Sequence, residues 1–320
     1  MEKIILDTDI GVDDALALIL ALKSRELQLE AVTTVSGNVH VDKSTKNALK
    51  ILELMNRKDV PVARGAAKPL RRKLHTAEHI HGKDGLGDSG LPEPKIKPAD
   101  KDAVDLIIEK VSENPGEITL VPIGPLTNIA LAVRKKPQIT EKIKSIVLMG
   151  GAYGVTPYGC GNVTPVAEFN IYTDPEAAKI VFESGIEITA IGLDVTTDPE
   201  ALLTWRDLEI IKEADTKAAE IIAEMLKKPM SMMEKCTGRR AMAVHDAMAV
   251  SYLIWRDLFT VKKYRVDIET KGEFTTGQTV TDRRPETLRG DIKTRKPNVH
   301  VCTSVKGRKF INLLISRIKK

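Results

Sequence analysis

Four aspartates within eight positions, Asp7-Thr8-Asp9-Ile10-Gly11-Val12-Asp13-Asp14, are the residues whose types and spacing could most readily do chemistry. They fall where the apolar run Ile4-Ile5-Leu6 gives way to a helical-period run over 15–22, so the pattern predicts a strand end followed by a helix start. Alternate residues of a strand share a side, which sets Asp7 and Asp9 together. A turn containing Gly11 then brings Asp13 and Asp14 back toward them. Four converging carboxylates repel one another unless their pKa values rise or a cation neutralises them. An all-oxygen set without His or Cys suits a hard ion, Ca²⁺ or Mg²⁺. Helix capping accounts for Asp13 and Asp14, whose charge complements the helix dipole. It does not account for Asp7 and Asp9 at the carboxyl end of a buried strand, where ligands of open α/β sheets bind.

Other readings of the cluster fail on chemistry. Counting from Asp7, an EF-hand loop needs glycine sixth and glutamate twelfth, where this chain has Val12 and Leu18. A phosphate-transferring D-x-D-x-[TV] motif would want a hydroxyl or valine at Gly11. No G-x-x-x-x-G-K-[ST] phosphate loop occurs.

The elements that must position the cluster alternate along the chain. Strand-like runs are expected at 4–6, 29–35, 118–123, 143–149 and 186–191, and helical runs at 15–22, through Ala48, Ile51, Leu52 and Met55, and at 104–111, 125–133 and 175–182. Near-continuous apolar strands are buried on both faces, so the expected fold is α/β, a mainly parallel, Rossmann-like sheet flanked by helices. Beyond Asp198 a helical pattern runs to about 228, is expected to break at Pro229, and restarts at His245. Alternating residues over 262–303 predict extra, antiparallel edge strands before a closing helix from 306. The stretch 68–101, rich in Gly, Pro and His, reads as a long functional loop. With no repeat and no linker, residues 1–320 are expected to form a single domain.

Composition bounds the remaining possibilities. Three cysteines, Cys160, Cys236 and Cys302, lie far apart with no C-x-x-C pair, which argues against a disulfide framework or zinc site and for a reducing compartment. The chain enters its first strand without signal-peptide chemistry, so a cytoplasmic location and no membrane role are expected. Its net charge of +5 comes from scattered doublets and triplets with few aromatics, which favours a solvated surface over a nucleic-acid groove.

Further motifs follow the aspartates in order: Gly37-Asn38-Val39, His81-Gly82-Lys83-Asp84-Gly85, Gly124-Pro125-Leu126-Thr127-Asn128, Met149-Gly150-Gly151, Ala167-Glu168-Phe169-Asn170 and His245-Asp246. Together with the opening cluster, which is similar to D-x-D-P-G-x-D-D, they make the chain resemble the inosine-uridine preferring nucleoside hydrolase family over nearly its whole length. The resemblance implies a nucleoside hydrolase fold and calcium-dependent hydrolysis of the N-glycosidic bond of a ribonucleoside, inosine or a pyrimidine nucleoside, to ribose and base. It implies Ca²⁺ held by Asp9, Asp14, Asp246 and the backbone carbonyl of Ile123, with two ribose hydroxyls and a water completing the shell. Asp9 would also be general base on that water. Asp13, Asn38, Met149, Asn162, Glu168 and Asn170 would surround the ribose, and Asp7 would stand behind the ligands. His245 by itself reads as a polar opening to an apolar helix. Beside Asp246, the resemblance makes it a leaving-group acid, and His81 would approach the ribose or base from the long loop. Family members form dimers or tetramers, so a homodimer or homotetramer is expected.

This chemistry suits those groups. Breaking a ribosyl C–N bond passes through an oxocarbenium-like state, stabilised by nearby negative charge and an activated water. Buried groups that bond ribose hydroxyls would discriminate against deoxy sugars. The rivals are an enzyme for another N-riboside, such as nicotinamide riboside or a modified nucleoside, and a non-catalytic nucleoside or calcium sensor.

The chain departs from the family pattern in three places. Ile10 stands where proline is common, and the stretch 152–161 is long, which would let Tyr153 or Tyr158 reach the site mouth. The region 225–242 offers Met225, Met230, Met232, Met233 and Met242 but no aromatic to meet a base, and such a methionine stripe reads as adaptable core.

Overall fold

A computed structural model describes residues 1–284 and 295–320. The strands are β1 (Glu2–Thr8), β2 (Leu27–Thr34), β3 (Val62–Arg64), β4 (Ile118–Pro122), β5 (Ser145–Met149), β6 (Ile188–Ile191), β7 (Leu203–Thr204), β8 (Ala241–Met242), β9 (Phe259–Tyr264), β10 (Val266–Ile268), β11 (Thr279–Thr281) and β12 (Val299–Val305). Eight of them form one sheet in the order β3-β2-β1-β4-β5-β6-β12-β9, every pairing parallel except β12 with β9. The expected edge strands are therefore present in β9 and in the separate antiparallel pair β10–β11. β12, from the same stretch, is an interior strand instead. It pairs parallel with β6, because its apolar residues Val299, Val301 and Cys302 are fully buried. The part of that stretch at 285–294 lies outside the described residues.

The helices are α1 (Val12–Leu22), α2 (Val41–Leu54), α3 (Glu78–His81), α4 (Ala103–Glu113), α5 (Thr127–Lys135), α6 (Phe169–Thr173), α7 (Pro175–Phe182), α8 (Leu193–Thr196), α9 (Trp205–Lys212), α10 (Lys217–Thr237), α11 (His245–Ile254) and α12 (Gly307–Ile318). The period of two in the strands divides the core between the two faces. Ile4 and Leu6 of β1 join Val121, Val147 and Met149 under α1, α10, α11 and α12, while Ile5 joins Ile118, Leu120, Ile146 and Leu148 under α4, α5 and α7. From Val12 to Ala21 every residue of α1 is buried, as expected of a central helix that is apolar all round.

The expected break at Pro229 does not occur, since α10 runs through it from Lys217 to Thr237. Proline removes one helical N–H and costs about 3 kcal/mol in a helix interior. Met225, Leu226 and Met230 around it are fully buried, and burial of large apolar side chains at roughly 1.5–3 kcal/mol each outweighs that cost. The carbonyl of Met225, left without its helical donor, is covered by Gly87, where an added methyl would stand 2.2 Å from the Met225 oxygen. The long loop 68–101 is thereby docked on the proline turn. Lys43 bonds to Glu78 and to the Lys83 carbonyl at 2.8 and 2.7 Å, and Asn47 bonds to the Asp84 carbonyl at 2.7 Å. No helix of the described residues is long and apolar enough to cross a membrane.

Candidate active site

β1 ends at Thr8, and the chain turns through Asp9 and Ile10 into α1, whose N-cap is Gly11. Asp9 is gripped between the turns that follow β2 and β4. The Asn38 backbone N–H donates to its Oδ2 at 2.6 Å and the Asn38 amide to its Oδ1 at 3.3 Å. A methyl on Gly37 would lie 2.0 Å from Asp9 Oδ2, and one on Gly124 2.9 Å from Oδ1. Glycine in the Gly37-Asn38 and Gly124-Pro125 motifs thus leaves room for this carboxylate.

Asp14 accepts from the Thr8 hydroxyl at 2.6 Å, the Gly11 N–H at 2.9 Å and the Asn38 amide at 2.9 Å. Asp14 closes the first turn of α1, as the capping reading expects, and faces the other acids. Asp246 comes from the first turn of α11, the helix packed along α1. Carboxylate oxygens of Asp13, Asp14 and Asp246 lie within 4.8 Å of one another, all buried.

Burial pushes the Asp9 carboxyl well above its usual range, and the Asp14 charge adds to the shift. Burial also raises Asp246 well above the usual range, reinforced by Asp13, Asp14 and Asp9. Asp14 is raised by burial and by Asp13 against the opposing donors Thr8 and Gly11. Buried acids that face one another in this way, with oxygen the only ligand atom they offer, fit a hard divalent cation that would remove the repulsion.

Asp7 is the exception to the expected convergence of four aspartates. Its Oδ1 accepts from the Thr33 hydroxyl at 2.5 Å and the Asn128 amide at 2.7 Å, its Oδ2 has no partner, and burial raises its pKa to about 7. The strand end is the reason: Asp7 keeps the α5 face of β1 with Ile5, while Asp9 lies past Thr8, where the alternation of the strand no longer holds. The fourth acid of the cluster is Asp246.

Two histidines flank the acids. His81 Nδ1 accepts from the Val12 N–H at 3.1 Å and stands 3.9 Å from Asp13 Oδ1. His245 Nδ1 contacts the Thr196 hydroxyl at 2.8 Å. Burial lowers the His245 pKa and the nearby His81 lowers it further, while Asp13 opposes them.

The remaining candidates fall into two groups. Asn170 donates to the carbonyls of Ile123 at 2.9 Å and Met149 at 3.2 Å, drawing those three residues together at the ends of β4 and β5. Glu168 caps α6, accepting from Asn170 N, Ile171 N and Gly151 N at 2.9, 3.1 and 2.9 Å. Asn162 stands apart on an exposed turn, its amide oxygen accepting from Phe169 N at 3.0 Å. Tyr153 does not reach a mouth. It is buried beneath the Gly150-Gly151 turn with its hydroxyl donating to the Gly150 carbonyl at 3.0 Å, because Asp194 ties its backbone inward. Tyr158 is exposed. Met225 and Met230 are core, as the stripe suggested, whereas Met232, Met233 and Met242 are only half-buried. Sequence reasoning assigned no role to Thr8, Thr33, Asn128 and Thr196; Thr8 bonds Asp14 within the opening cluster, and the partners of the other three lie 26 to 121 positions away.

Fold and site define an α/β protein with an acid-lined, cation-fitting centre at the carboxyl ends of its parallel strands. The sequence matches the family model described as inosine-uridine preferring nucleoside hydrolase over residues 4–312. It is 45% identical over 316 residues to a pyrimidine-specific ribonucleoside hydrolase RihA of a Shewanella species, covering 98% of this chain and 95% of that one. It is 42% identical over 317 residues to the protein of the same name from Salmonella arizonae, covering 99% and 98%. Among solved structures it superposes on a plant nucleoside hydrolase with a TM-score of 0.93 at 36% identity over 99% of both chains. A purine-preferring ribonucleoside hydrolase from Gardnerella vaginalis gives 0.89 at 34% identity over 99% of this chain and 98% of that one. The chain belongs to the inosine-uridine preferring nucleoside hydrolase family, and its activity is that of a nucleoside N-ribohydrolase.

Proposed function

We propose that the protein hydrolyses pyrimidine ribonucleosides, uridine and cytidine, to ribose and free base, with Ca²⁺ in the acid cluster. The observation that carries this is the buried group of facing carboxylates at the strand ends. The pyrimidine preference draws support from the Shewanella relative at 45% identity, against 34% for the purine-preferring structure. Asp9, Asp14, Asp246 and the Ile123 carbonyl would hold the ion. That carbonyl already accepts from Asn170 and keeps a second lone pair. A bound divalent ion supplies Lewis-acid polarisation of water and anchorage for ribose hydroxyls.

Asp9, fixed by Asn38 between Gly37 and Gly124, accepts the proton of the water that attacks C1′. Asp13, Asn38, Asn170, Met149 and Glu168 orient the ribose, with Asn162 and His81 at its approaches. Asp7 supports the turn from behind, through Asn128 and Thr33. His245 meets the departing base. Ribose release from uridine, cytidine, inosine and adenosine, with and without chelator, tests the reading. The expected result is chelator-sensitive turnover fastest on the two pyrimidines, and purine turnover equal to or above it overturns the preference.

We also propose a single domain, since one sheet spans Glu2 to Val305, and a cytoplasmic location, since the free Cys160, Cys236 and Cys302 suit a reducing compartment. A homodimer or homotetramer is proposed as well. Exposed Val163, Phe274 and Val280 on segments joined by the Ala167–Gln278 bridge are the apolar surface it would cover, and light scattering tests it.

A further inference from the structure

His81 and His245 are held by the same ring nitrogen, and in each the other nitrogen, Nε2, has no protein hydrogen-bond partner among the described residues. For His81 the assignment is unambiguous. A backbone N–H can only donate, so the Nδ1 that receives the Val12 N–H carries a lone pair and the neutral ring bears its proton on Nε2. For His245 the partner is a hydroxyl, which could play either role.

The surroundings of that hydroxyl decide between them. Thr196 is the last residue of α8 and is fully buried. Its neighbour Thr197 turns its hydroxyl back to the Leu193 carbonyl at 2.8 Å, the ordinary bond of a threonine at a helix end. Thr196 does not. Its hydroxyl meets His245 Nδ1 at 2.8 Å and has no second partner among the described residues. Were Nδ1 protonated, the Thr196 hydroxyl hydrogen would be buried without an acceptor, an arrangement folded proteins avoid. With the hydroxyl donating to Nδ1, both the hydroxyl hydrogen and the Nδ1 lone pair are satisfied.

We propose that Thr196 is a positioning residue that fixes His245 in the tautomer with its proton on Nε2, so that the neutral ring donates a hydrogen bond to the departing base. This rests on the hydrolase reading above and specifies how the leaving group is served. As the C1′–N bond breaks, its electron pair stays on the base, and a base acceptor atom takes the Nε2–H bond while the proton remains on the imidazole. The attacking water gives its hydroxyl to C1′ and a proton to Asp9, the base gains a proton from solvent, and Asp9 returns its proton to solvent, so nucleoside and water balance ribose and base. His245 thus acts by polarising, as a neutral imidazole can, in place of full proton donation.

Thr196→Val keeps the shape and removes the hydroxyl, and Thr196→Ser keeps the hydroxyl. With calcium-loaded protein, kcat on uridine is expected to fall about 10-fold or more in the Val variant with KM changed less than about 3-fold, and to return close to the parent value in the Ser variant. Hydrolysis of 4-nitrophenyl riboside, whose leaving group is stable as an anion, is expected to fall several-fold less than that of uridine. Nitrogen NMR of ¹⁵N-histidine-labelled protein, assigned with His245→Gln, supplies a readout apart from turnover. The expected spectrum has an unprotonated Nδ1 at His245 in the parent and a tautomer mixture in the Val variant. Equal losses on both substrates in a variant that melts like the parent, or a parent ring protonated at Nδ1, overturns the proposal. If the parent releases ribose from no nucleoside, the hydrolase reading fails by itself, and the NMR arm still decides the Thr196 contact.

Discussion

Two sets of buried carboxylates are treated in opposite ways in this protein. Asp194, Asp174 and Glu168 are each surrounded by donors. Asp194 accepts from the backbone N–H groups of Tyr153, Val155 and Thr156 at 2.7, 2.7 and 3.3 Å, and Asp174 from Leu70 N, Ala177 N and the Thr127 hydroxyl at 2.8, 3.0 and 2.8 Å. Asp13, Asp14 and Asp246 instead turn oxygens toward one another within 4.8 Å, and Asp9 adds its charge beside Asp14. A buried charge costs free energy unless it is paired or hydrogen-bonded. The first set is therefore satisfied by the fold, while in the second the donors on Asp14 and Asp9 do not remove the repulsion between facing oxygens, an arrangement that fits a cation.

The largest effect expected from this comparison is on turnover. Asp9→Ala removes the proposed base, and ribose release from uridine should fall about 10³-fold or more; the Asn38 N–H loses its acceptor but the repulsion beside Asp14 is relieved, so the melting temperature should change little. A variant that retains a tenth of parental activity would remove Asp9 from the chemistry. Asp194→Ala should show the reverse pattern. It leaves three N–H groups without an acceptor, at about 1–3 kcal/mol for a buried unsatisfied group, so denaturant unfolding should register a loss of about 2–4 kcal/mol. Asp246→Asn sharpens the contrast further. In chelated protein it removes one of the repelling charges, and stability should rise by about 1 kcal/mol, whereas added Ca²⁺ should raise the melting temperature of the parent more than that of the variant. Parent and variant responding equally to calcium would mean that Asp246 does not help hold the ion.

How much of this was legible in the sequence depends on the range of the forces involved. The sheet could be read because buried parallel strands are continuous apolar runs, and β4, β5 and β6 stand within two residues of their expected starts. Asp9, Asp13 and Asp14 could be singled out because a charge in an apolar context needs a reason, whereas Asp246 is reached only through the resemblance of His245-Asp246 to the family motif. Asp7 looked like a fourth member, but it is still within β1 and faces α5, where Asn128, 121 positions away, receives it, while Asp9 lies past the strand end. Pro229 looked like a break because local chemistry says so, and core burial across α10 overrode it. Thr196 gave no signal, since a hydroxyl acquires its meaning from a ring 49 positions distant.

A third treatment of a buried carboxylate completes the comparison and gives the smallest expected effect. Asp207 is buried in the first turn of α9 and receives its cation from the protein itself, with Arg308 of α12 donating to both carboxylate oxygens. Burial pulls the Asp207 pKa upward, but Arg308 and the donors of Thr204 outweigh it, and the net shift is downward. A carboxyl held below its unfolded value contributes stability that is fully present above the usual aspartate pKa, about 3.9, and is lost as the pH falls through the lower folded value. In Arg308→Leu the upward pull of burial is less opposed, so acid unfolding should begin at a higher pH than in the parent. Turnover near neutrality should stay at the parent level, because the pair lies apart from the acid cluster. Identical acid-unfolding midpoints would mean that solvent screening at the half-exposed Arg308 cancels the pairing, leaving Thr204 alone to satisfy the charge.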